Sequence, residues 1–172
     1  MVGDINERID SAQEKIRKLA TKVPGFGGYL QKDQRREADK LLRLHVARQY
    51  QEQLARLGDI QETLINDGDL RAMMALERAV TKLQLLIDRI KTASYGYSGL
   101  FEGIKVDEDT LDALYDFDQA MVDGVDTLAQ QLDELSGLIE GGEPTGPAAN
   151  ALVRALETLN AEYSQRQDVF LD

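Results

Sequence analysis

The chain has 172 residues, with 31 Asp and Glu against 20 Lys and Arg, a single His and no Cys, for a formal charge of -11 at pH 7. The lack of cysteine excludes disulfides, thiolate zinc sites, iron-sulfur clusters and cysteine nucleophiles. The negative balance disfavours a phosphate backbone as ligand, so no nucleic-acid partner is expected. The first ten residues are polar and charged, and the longest apolar run, Ala72 to Leu76, falls far short of the roughly 18 residues of a membrane span. A cytoplasmic chain forming a single domain over residues 1–172, with no membrane span, is therefore expected.

The charge is regional. Residues 106–153 hold 12 carboxylates and no Lys or Arg, which accounts for the whole of the net charge. The rest of the chain is close to neutral.

In chain order, heptad-like apolar spacing predicts five helices and no strand. The first, about 4–23, carries Ile5, Ile9, Ala12, Ile16, Leu19 and Val23 in alternating steps of four and three, a narrow seam suited to knobs-into-holes packing. Pro24 ends it, because a residue before proline is pushed out of helical geometry. The second, about 31–65, places Leu42, Val46, Tyr50, Leu54, Leu57, Ile60, Leu64 and Ile65 on one stripe. That stripe stays in phase across Gly58, so the helix continues or kinks there. Asn66 to Asp69 reverses the chain, with Asp69 as N-cap of a third helix, about 70–93. Asp107 caps a fourth, about 107–140, with the seam Leu111, Leu114, Asp118, Met121, Val125, Leu128, Leu132, Leu135 and Ile139. Pro147 suits the first turn of a fifth, about 147–170. Short connections between long amphipathic helices imply an all-α, up-and-down antiparallel bundle, two of its helices long, with all five sharing one core.

Asp118 is the sharpest single feature. At 100° per residue it lies within about 20° of Val125, inside an apolar seam. A carboxylate there is expected to be partnered, reached by water or protonated, because an isolated buried charge costs several kcal/mol. An Arg, Lys, Tyr hydroxyl or His45 would make it structural; a polar pocket around it would make it functional. By contrast, Asp109, Asp112, Asp116 and Asp123 fall on the opposite side of the same helix as an outward ridge. That ridge reads as a solvated face, a docking strip for a basic partner, or a weak divalent-cation site.

The connections hold five of the ten aromatic residues: Phe26 and Tyr29 in one, Tyr95, Tyr97 and Phe101 in another. In an up-and-down bundle both fall at the same end, where they either plug it or offer a patch to a partner. Lys32, Arg35, Arg36, Lys40 and Arg43 form a basic patch nearby, expected to offset acidic side chains on a neighbouring helix, with contact to an anionic surface as the alternative. His45, the only histidine, sits at the flank of its stripe; with Leu42 three residues before it, no Glu-x-x-His di-iron motif exists. No phosphate loop or nucleophile elbow is present. The expected function is non-enzymatic, through contact with a protein partner or a second copy, with no cofactor and no metal. The alternatives are a small-ligand or enzymatic pocket around Asp118 and a divalent-cation-responsive bundle.

Overall fold

The computed structural model describes residues 2–93 and 107–169. Five α-helices account for most of them: α1 (Val2–Lys22), α2 (Arg35–Asp67), α3 (Leu70–Thr92), α4 (Glu108–Glu140) and α5 (Gly146–Asp168), with a 3-10 turn, Lys32–Gln34, ahead of α2. The all-α bundle with two long members is as expected: α2 and α4 have 33 residues each, about 50 Å. None of the described helices is long and apolar enough to cross a membrane.

The helix ends follow local chemistry. Asp69 accepts a hydrogen bond from the Ala72 N–H, and Asp107 accepts one from that of Thr110, so both carboxylates satisfy first-turn donors as N-caps. The Thr145 hydroxyl donates to the second Asp69 oxygen, tying the start of α5 to that of α3. α2 passes through Gly58 as one helix.

Four helices share the core. Leu57 and Leu64 of α2, Leu76 and Leu83 of α3, Leu128 and Leu132 of α4 and Leu152 and Leu156 of α5 are all buried. Helix α2 packs on α3 and α4, and α5 packs on α3 and α4. The chain direction alternates from α2 to α5, yet the neighbours α2 and α4 are parallel, because Tyr50 meets Met121 and Arg56 meets Asp133. Helices α3 and α5 are parallel as well, with Arg78 beside Asn150 and Arg89 beside Ser164. The bundle is thus two antiparallel hairpins set side by side.

Helix α1 joins the shared core only through its C-terminal half and departs from the expected reversal. It lies on the outside of α4 and runs parallel to it, pairing Arg8 with Glu108 and Asp109, Lys15 with Asp112 and Asp116, and Lys22 with Asp126. The segment after Val23 therefore doubles back, from the level of Asp126 to that of Tyr115 and Asp118, about 15 Å. Gly28 makes this return possible. Its φ is +85°, and a Cβ there would stand 2.6 Å from Ile16 Cδ1 and 3.0 Å from the Tyr115 hydroxyl, so the backbone passes between α1 and α4 only as glycine. Leu19 and Val23 are buried and Ile16 partly so, whereas Ile5 and Ile9, in the same seam, are 54% and 46% exposed. The N-terminal half of the seam has no full partner among the described residues.

Candidate functional site: a buried charge cluster and an apolar groove

Asp118 is 0% exposed and fully engaged. Arg166 Nε donates to its Oδ1 at 2.7 Å, and the Tyr29 hydroxyl donates to its Oδ2 at 2.6 Å. Arg166, 1% exposed, also donates through Nη2 to Asp39 Oδ1 at 2.7 Å, and Arg43 Nε donates to Asp39 Oδ2 at 2.7 Å. Arg43 Nη1 reaches the Ile90 carbonyl, and the Tyr29 N–H donates to the Tyr115 hydroxyl. Two guanidinium groups and two carboxylates thus form a neutral chain of charge-assisted hydrogen bonds, the arrangement in which buried ions are tolerated. It joins α2, the end of α3, α4, α5 and the returning segment at one level. Arg89 ties α3 to α5 nearby, donating to the Asn160 carbonyl and the Ser164 hydroxyl and lying over the Tyr163 ring.

Burial pushes the Asp118 carboxyl above the ordinary carboxylate range, against the pull of Arg166 and the Tyr29 hydroxyl. Burial, with the Asp118 charge beside it, raises the Tyr29 phenol well above 10. Both carboxylates accept hydrogen bonds from donors already in place, one at each oxygen. Among the described residues no three His, Cys, Asp or Glu side chains converge as a metal site.

Phe26 and Tyr29 are 4% and 0% exposed. Their rings meet edge to face at 5.4 Å, and Tyr29 stacks on Tyr115 at 5.2 Å. They plug the end of the bundle and present no patch in this conformation; Tyr95, Tyr97 and Phe101 lie outside the described residues. Within the expected basic patch, Arg43 is interior and Arg35 Nε donates to the Tyr29 carbonyl, while Lys32, Arg36 and Lys40 are exposed. Arg43 pairs with Asp39, one turn earlier in its own helix. The acidic ridge is exposed, as expected, and its basic partner is α1. His45 is half-buried, with a buried Nε2 that has no hydrogen-bond partner among the described residues.

Arg166, which pairs with Asp118, and Asp39, which pairs with Arg166, are absent from the sequence-based candidates. A signal existed: Arg166 follows Tyr163 by three and precedes Phe170 by four, and Asp39 precedes Leu42 by three, so both continue apolar seams. Opposite charges at seam positions of different helices are expected to meet.

A second feature lies where α1 leaves its seam uncovered. Ile9 and Ala12 of α1, Leu30, and Leu111 and Tyr115 of α4 line a groove of about 190 Å³, and the Arg8, Glu108, Asp109 and Asp112 side chains edge it. Leu30 is 52% exposed. Comparison of the chain with protein-family models, with curated proteins and with solved structures finds no match.

Proposed function

We propose that the protein acts by contact with another protein chain, as an adaptor or scaffold of the cytoplasm, and not by catalysis. The observation that carries this reading is the α1–α4 groove, whose Ile9 and Leu30 leave about half of their surface in water at one end of the bundle. Apolar side chains gathered around a groove gain by being covered, and grooves of this kind take apolar anchors from partners. Against the competing reading, a polar pocket at Asp118, speaks the fact that Arg166 and Tyr29 already donate to its two oxygens.

The test is affinity capture from the native source with the wild-type chain, with Ile9→Glu and with Leu85→Glu, whose site is an exposed leucine on α3. Proteins retained by wild type and Leu85→Glu but lost from Ile9→Glu support the reading. Capture by all three alike, or by none from a chain that sediments as a monomer, refutes it.

A further inference from the structure

The groove's surroundings indicate what kind of segment fits it. Four charged side chains edge it, the carboxylates Glu108, Asp109 and Asp112 and the cation Arg8, with Lys15 beside Asp112. Both cations are already committed to α4, Arg8 to Glu108 and Lys15 to Asp112 and Asp116. The floor is apolar, and the three carboxylates and one cation that edge it carry a net charge of -2. The α4 side of the groove, Glu108 to Tyr115, spans about 11 Å, or two helical turns. A volume of about 190 Å³ exceeds the roughly 150 Å³ of an apolar cavity that admits benzene, so it accepts a large aliphatic or aromatic side chain.

Resting on the contact reading above, we infer that the groove takes a basic amphipathic helix of a partner protein. Two apolar anchors, three or four residues apart, enter between α1 and α4, and Lys or Arg on the flanks faces the carboxylates. Helix-in-groove recognition uses this spacing, and opposite charge at the rim speeds association and selects the partner. A second copy docked groove to groove fits worse, because it brings the same acidic rim against its own kind. An anionic membrane is repelled for the same reason.

The probes are three fluorescein-labelled peptides of equal length: an amphipathic helix with Leu anchors and Lys flanks, the same helix with Glu flanks, and a Lys peptide of the first composition scrambled to abolish the apolar face. Binding is read by anisotropy to the full chain. The Lys-flanked helix is expected to bind, to weaken as salt is raised, and to lose about tenfold in affinity with Ile9→Glu, equivalent to about 1.4 kcal/mol. Ile9→Glu adds a negative charge, so purely electrostatic binding would strengthen instead. Leu30→Glu, outside α1, is expected to act the same way and keeps the test valid if the first variant disturbs α1.

Equal binding of the scrambled or Glu-flanked peptide overturns the inference, as does indifference to both variants. So does a photo-crosslink from position 30 only into residues 94–106 of the same chain, or self-association lost with Ile9→Glu. If no peptide binds while Ile9-dependent capture persists, the partner's chemistry is wrong and the contact reading stands. If both fail, both readings fail.

Discussion

Replacing Asp118 by leucine removes one of two carboxylates that balance two buried guanidinium groups. Arg166 would keep Asp39 but lose its Nε partner at 2.7 Å, and the Tyr29 hydroxyl would lose its acceptor at 2.6 Å. Arg166 is 1% exposed, so water cannot replace the lost partner without opening the bundle. Breaking a buried pair from one side costs about 3–5 kcal/mol. In a chain of this size that lowers the melting temperature by roughly 6–20 °C. The double variant Asp118→Leu with Arg166→Met removes both charges and leaves the Asp39–Arg43 pair neutral. Its remaining cost is mainly the orphaned Tyr29 hydroxyl, about 1–3 kcal/mol. The double variant is therefore expected to be more stable than either single one, recovering at least about 2 kcal/mol relative to additivity. Chemical denaturation followed by far-ultraviolet circular dichroism measures all three. A double variant no more stable than the weaker single, or Asp118→Leu within about 1 kcal/mol of wild type, would refute the account of the cluster as a mutually dependent tie.

Glycines in the two long helices should respond with opposite signs. Gly124→Ala places a Cβ 2.5 Å from the Tyr50 hydroxyl, which is pinned to the Met121 carbonyl, and is expected to destabilise by about 1–3 kcal/mol; Gly58→Ala meets nothing within 4 Å and should stabilise by up to about 1 kcal/mol, as thermal melts will show. At alkaline pH the fold should fail together with its phenols. Burial raises Tyr29, Tyr50 and Tyr115 above 10. For Lys15, burial pulls down, but Asp112 and Asp116 together leave it above 10.5; Asp126 holds Lys22 above the same value. Groups that hold a proton more tightly when folded stabilise the fold below their unfolded pKa and lose that contribution above it, so stability should fall steeply beyond about pH 10. Phenolate absorbance from all six tyrosines before helix is lost would contradict this. Amide exchange in α1 should be faster than in α2–α5 and should accelerate at high salt, because the ion pairs that help hold it are partly exposed and are screened. Uniform protection across α1 and α4 would refute that.

What the sequence revealed and what it concealed follow from how locally each feature is determined. The helix ends at Asp69 and Asp107 were legible because a cap is a contact across three residues, and Asp118 stood out because a single seam defines its side of the helix. Its partners were not legible from any one helix, since Tyr29 and Arg166 arrive from two different segments, and Asp39, which holds Arg166 in turn, from a third. The direction of α1 was hidden for the same reason. A glycine-rich connection permits a reversal or a doubling back, and the choice rests on distant contacts: Tyr29 reaching Asp118, and Gly28 passing between Ile16 and Tyr115. That choice has a consequence beyond topology. Had α1 turned back antiparallel into a five-helix core, Ile5 and Ile9 would be interior. Because it runs beside α4 with its cations on the acidic ridge, the C-terminal half of its seam is buried while the N-terminal half borders a groove. The ridge that looked like a site for an outside cation or a basic partner is therefore occupied largely from within the chain. The carboxylates left in excess at the start of α4 are the ones that flank the uncovered apolar side chains.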